Sequence, residues 1–164
     1  MLPIDTSELK YSRTSSDSYE AADLNRVGEF CRLISGSATE ELSVISQMRK
    51  EYDVAENEFY APDFEVPEIQ VKADYSVTDT YTLEQMRQYL QNIIDIVRAF
   101  PPKQYKTIPS SMRFLTADGA NNIEEDLKGS AENLGARVNR TKKYIKDTAA
   151  IFQYSGELYA GGII

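Results

Sequence analysis

The sequence predicts a mainly α-helical fold: a bundle of about four helices with one long acidic connection, one short strand, and extended N- and C-terminal arms. Two apolar rhythms carry this. Leu83, Met86, Leu90, Ile93, Val97 and Phe100 recur at steps of three and four, as on a helix with one seam facing other helices. Ala120, Ile123, Leu127, Ala131, Leu134, Val138, Thr141 and Ile145 keep the same steps for about seven turns. Alternation of period two is confined to one short stretch, Ile69 to Val77. At 164 residues, with 41% hydrophobic and 27% charged residues, the chain suits a single domain with one core.

In chain order, residues 1–18 mix Pro3 with serines, threonines and scattered charges without a period, which predicts an extended arm. The bundle is expected over residues 19–153. Its first helix places Leu24, Val27, Cys31 and Ile34 on one face. Ser35-Gly36-Ser37 reads as a stop, and Thr39, followed by Glu40 and Glu41, as the cap of a second helix with Leu42, Ile45, Met48 and Tyr52 on its apolar face. Residues 54–80 form the irregular connection. Between Glu51 and Thr80 stand nine acidic residues and one base, Lys72, which accounts for the whole net charge of −8. The spacing of a calcium loop is absent, so the block reads as a solvated connection. Within it Ile69, Val71, Ala73, Tyr75 and Val77 alternate as in a half-buried strand, whose backbone needs a partner in this chain or another.

Thr82 with Gln85 has capping-box spacing, Asp79 and Glu84 suit the positive end of a helix and Arg98 the negative end, and Pro101-Pro102 closes it. The last helix is predicted to start near Thr116 to Asp118. Gly129 and Gly135 each cost it about 1 kcal/mol relative to alanine, which implies either a bend or a close neighbour. Residues 154–164, rich in rings and small residues, read as a docking tail. Tyr154, Leu158, Tyr159, Ile163 and Ile164 are its candidate partner contacts.

Chemistry is sparse. There is no histidine and no tryptophan, and Cys31 is the single cysteine, placed in an apolar stripe where a buried core role is expected. Glu40-Glu41 and the Glu124 to Asp126 cluster fall where a helix dipole explains them. No phosphate cradle and no activated serine is present. The basic run Arg137 to Lys146 reads as a solvated helix end. No catalytic, cofactor-binding or metal-ligating residue is assigned, and no enzyme activity, cofactor, small-molecule substrate or nucleic-acid partner is expected. The first residues lack a basic stretch followed by an apolar run, and no segment reaches the roughly 18 to 20 apolar residues of a membrane span, so neither a signal peptide nor membrane insertion is expected.

Four stretches read together carry a resemblance: AADLNRVGEFCRLIS (21–35), YTLEQMRQYLQNIIDIVRAFP (81–101), IPSSMRFLTADGANNIEEDL (108–127) and YSGELYAGGII (154–164). Their motifs are Asp23 to Val27, Gln85 to Asn92, Pro109 to Thr116 with Ala120 to Glu124, and Ser155 to Gly161. In this order they resemble small proteins encoded by prophages and phage-tail-like particles of Firmicutes, usually among tail and baseplate genes. That group often has tryptophan after the aspartate ahead of the second motif, where Tyr75 follows Asp74 here. The resemblance covers about half of the chain. It implies a structural subunit of a phage tail, baseplate or phage-tail-like contractile particle, made in the bacterial cytoplasm and located in the virion or particle. The implied partners are other tail proteins and copies of itself. The alternative reading is a prophage-encoded host-interaction or receptor-attachment module, also without catalysis.

Overall fold

The computed structural model describes residues 2–55 and 64–160, with side chains described as far as Ser155. Three helices make the fold: α1 (Ala21–Glu51), α2 (Leu83–Ala99) and α3 (Ala117–Ala160). The class is mainly α, but the expected count of about four is corrected to three, and the described residues contain no strand.

The missing boundary is the stop at Ser35-Gly36-Ser37. α1 runs through it, and Thr39, expected to cap a new helix, instead donates its hydroxyl back to the Ser35 carbonyl at 3.0 Å. The reason lies in register. Ile34, Ala38, Glu41 and Ile45 continue the buried stripe at steps of four, three and four with no break. Gly36 lowers helix preference by about 1 kcal/mol, whereas burying a single isoleucine contributes roughly 1.5 to 3 kcal/mol. One continuous helix is therefore favoured. Its start is a capping box formed by Glu20 and Asp23. The α2 box is as expected, with the Gln85 N–H donating to Thr82 Oγ1 at 3.1 Å and the Thr82 N–H to Gln85 Oε1 at 3.0 Å.

All eight expected stripe residues of α3 are buried, as are Leu24, Val27, Cys31 and Ile34 of α1. On α2, Leu90, Ile93 and Val97 are buried, as is Phe100 just after it, and Met86 is half-buried; Leu83, expected in the same seam, is exposed. The two helical glycines differ. A Cβ on Gly129 would lie 2.4 Å from Pro102 Cβ, so the α2–α3 linker approaches closely there, while the space around Gly135 is open.

The helices run parallel. Arg26, near the start of α1, binds Glu124, near the start of α3, and Glu41 binds Lys142 further along both. Tyr89 of α2 meets Tyr19, just ahead of α1, while the Ala99 carbonyl at the far end of α2 accepts from Arg137 of α3. Each helix is therefore reached by an extended segment that returns along the bundle. Residues 9–13 lie along α3, with Leu9 in the core. Residues 64–75 lie along α1 and α2, with Phe64 edge-on to Phe100 at 5.2 Å and Ser35 donating to the Pro67 carbonyl. Residues 102–109 lie along α3, where the Lys106 N–H donates to Asp126 and the Thr107 carbonyl accepts from Asn122. Parallel helices put three positive dipole ends together, and Asp23, Glu84 and Asp118 stand in the first turns to offset them.

Two ends differ from expectation. The N-terminal arm is extended, yet Leu9 and Arg13 seal it onto the protein's own bundle. The C-terminal arm expected from residue 154 is helical through Ala160, because α3 does not stop where α1 does. From the Glu41–Lys142 pair onward, α3 continues about eight residues, roughly 12 Å at 1.5 Å per residue, past the last residue of α1.

Candidate functional site

The segment Ile69 to Tyr75 is extended without being a strand, because asparagine side chains from the helices occupy the place of a neighbouring strand. Asn25 of α1 donates Nδ2 to the Tyr75 carbonyl at 2.9 Å and accepts the Tyr75 N–H at 2.8 Å. Asn92 of α2 donates Nδ2 to the Gln70 carbonyl at 2.7 Å and accepts the Gln70 N–H at 3.2 Å. Asn121 of α3 does the same for Arg13 of the arm, at 3.0 and 2.9 Å. A carboxamide offers one donor face and one acceptor face, so it satisfies both backbone groups of one extended residue. Ile69, Val71, Ala73 and Tyr75 turn inward as the alternation expects, whereas Val77, expected in that set, is 88% exposed beyond the last asparagine. These asparagines all lie in the motifs that carry the resemblance, as do Asp23, Arg26 and Glu124.

Those last three join Arg13 in a buried ring of alternating charge. Arg13 reaches Asp23 at 2.9 Å and Glu124 at 2.7 Å, and Arg26 reaches Asp23 and Glu124 at 2.7 Å each. The Lys10 N–H also donates to Glu124, which is fully buried. Burial works to raise the Asp23 carboxyl, but the Glu20 N–H, Arg26 and Arg13 together hold it below the usual carboxylate range. The carboxylates Glu41 and Glu124 to Asp126, expected only to complement dipoles, are in three cases structural. Glu41 meets Lys142, Glu124 closes the ring, and Asp126 holds the Lys106 N–H at 2.8 Å. Burial raises Asp126 to about 6.

A cleft of about 350 Å³ lies between α1, α2 and the pinned connection, walled by Gly28, Cys31, Val71, Tyr75, Gln88 and Tyr89. A Cβ on Gly28 would lie 3.2 Å from the Lys72 carbonyl, so the connection approaches α1 there. Burial pushes the Cys31 thiol up to about 12 and the Tyr89 hydroxyl well above its ordinary value, with Tyr89 bonded to Tyr19 at 2.7 Å. A neutral thiol is a poor nucleophile. The described residues hold no group of three or more histidine, cysteine, aspartate or glutamate side chains placed for a metal ion, and no helix among them is long and apolar enough to cross a membrane.

Of the candidate partner contacts, Tyr154 is 65% exposed on the overhanging part of α3. Leu158 and Tyr159 fall in its last helical turns, where backbone alone is described, and Ile163 and Ile164 lie outside the described residues. The structure adds Ile151 and Phe152, each 66% exposed. Phe152 stands seven residues after Ile145, so it continues the core stripe of α3 to the level of the last residue of α1, where nothing buries it. That spacing was visible in the sequence, but the length of the opposing helix was not. No protein-family model, curated protein or solved structure matches the chain.

Proposed function

We propose that the protein is a structural subunit of a phage tail, baseplate or related contractile particle, joined to other subunits through the overhanging end of α3. The observation that carries the reading is the apolar group Ile151, Phe152 and Tyr154, exposed where α1 ends and α3 runs on. A core stripe continued into solvent is a cost unless something covers it. The rest of the molecule suits a building block. The extended segments are pinned at residues 13, 70 and 75, and the buried charge ring ties the arm to two helices. The four motifs, in their order, support the tail assignment within that class. The protein then resides in the assembled particle.

The test is truncation before residue 151 in the producing strain. The shortened protein is expected to keep almost all of its far-ultraviolet helix signal and to vanish from purified particles viewed by negative-stain microscopy and immunolabelling. Normal incorporation of the truncated chain would remove α3's end from the mechanism. Particles that never contain the protein would favour the host-interaction module instead.

A further inference from the structure

The connection between α2 and α3 runs back along α3 as a strap whose contacts are spaced down one face of the helix. The Ala99 carbonyl accepts from Arg137, Pro102 sits against Gly129, the Lys106 N–H donates to Asp126 Oδ1 at 2.8 Å, and the Thr107 carbonyl accepts from Asn122. The face beneath is polar. Asp126 and Ser130 are wholly buried, and Asp126 Oδ2, Ser130 Oγ and Asn133 Oδ1 have no hydrogen-bond partner among the described residues. Buried polar atoms left unpaired cost free energy that contact with water returns, so this face gains when the strap lifts. The strap itself is lightly held. None of residues 101–109 is fully buried, and Tyr105 is 65% exposed. Segments with few buried apolar contacts are the ones that open without unfolding the rest.

The charges around Asp126 set the direction of the effect. Beside it on α3 stands Glu125, and on the strap stands Lys106, but these two pair with each other at 3.3 Å. Further along the same face the Arg137 guanidinium is turned to the Ala99 carbonyl. Among the described residues no charged group of α1 or α2 enters the balance, and the carboxyl accepts a hydrogen bond from one backbone N–H alone. An ionised Asp126 under the strap therefore has no cation of its own. We infer that residues 101–109 form a pH-dependent strap, closed over α3 while Asp126 carries a proton and released as it ionises. Lifting the strap gives the carboxylate to water, where its ordinary value of 3.8 applies, whereas burial holds it at about 6. The closed form binds the proton more tightly, so closure is most favoured below about pH 4 and opening is most favoured above about pH 6.

The experiment is native-state hydrogen exchange on the full chain, on Asp126→Asn and on Glu125→Gln, followed amide by amide from about pH 4 to about pH 7 and corrected for the intrinsic exchange rate at each pH. The Lys106 amide reports on the strap, and the amide of the fully buried Leu134 reports on unfolding of the bundle. In the natural protein Lys106 is expected to open more readily than Leu134 at every pH. Its opening is expected to rise by tens of fold across the range, and by no more than about 100-fold given the two positions of the carboxyl. The rise is expected to vanish in Asp126→Asn and to persist in Glu125→Gln, which keeps the buried carboxyl and removes its neighbour. An opening of Lys106 that does not change with pH overturns the inference. So does a rise that survives in Asp126→Asn, or one that is lost in Glu125→Gln, since a different group would then be titrating. Lys106 and Leu134 exchanging together at every pH would also overturn it, because the strap would then be part of the cooperative core.

Discussion

Replacing Glu124 with glutamine tests whether the buried ring holds the arm and the helix starts together. In the natural protein Glu124 is fully buried and meets Arg13, Arg26 and the Lys10 N–H, so four charges balance. Glutamine keeps the shape and some hydrogen bonds but leaves two guanidinium groups facing only Asp23, a net charge of +1 with little water nearby. Removing one partner of a buried charge cluster costs about 3 to 5 kcal/mol, because the remaining charge is stranded. For a chain of this size that lowers the thermal midpoint by roughly 10 to 15 °C. Urea unfolding followed by circular dichroism measures it directly. The loss should be nearly unchanged between low and high salt, since a buried cluster is poorly screened. A loss below about 1 kcal/mol, or one that disappears in salt, would refute the ring as a determinant of the fold and class it with surface pairs.

Asn25→Ala should unpair both backbone groups of Tyr75, costing about 1 to 3 kcal/mol; native-state hydrogen exchange should show the Tyr75 amide opening roughly 5- to 150-fold more often, and unchanged protection would refute the pin. Burial raises the Asp126 pKa in the folded protein to about 6, above its ordinary value of 3.8, so the folded state holds this proton more tightly than the unfolded chain. Its charge therefore opposes folding in full above pH 6, and that opposition fades as pH falls from 6 towards 4. Asp126→Asn should accordingly be more stable than the natural protein by about 1 to 3 kcal/mol at pH 8 and equal to it near pH 4, as chemical denaturation across that range would show. Gly135→Ala, in open space, should stabilise by roughly 0.5 to 1 kcal/mol, whereas Gly129→Ala should destabilise because its methyl would meet Pro102. Matching gains at the two positions would contradict the tight linker packing.

Regular periodicity made much of the core legible: the full α3 stripe, the first half of α1 and the α2 capping box could all be read from residues three and four apart. What failed was the arrest of α1 at Ser35-Gly36-Ser37, because local helix preference is outweighed there by Ile34, Ala38 and Ile45, whose value depends on α3 lying alongside. The strand expected over residues 69–77 was half visible. Alternation showed which residues of 69–75 face inward, but not that carboxamides on α1 and α2 would stand in for a neighbouring strand. Such a partner leaves no period, only single asparagines at Asn25 and Asn92. Glu124 and Asp126 looked like dipole complements because their partners, Arg13, Arg26 and Lys106, are brought in by tertiary packing. Tyr154 was read as a partner contact from its ring, and the structure shows it exposed. The exposure of Ile151 and Phe152 required knowing where α1 ends.

Counting copies of the protein in purified particles made with Phe152→Asp tests the account most directly. Position 152 is exposed, so the variant should fold and accumulate in the cell as the natural chain does, yet its particles should contain almost none of it. Particles carrying the natural number of copies of the Phe152→Asp chain would contradict the claim that this protein acts by burying the end of α3 against its neighbours.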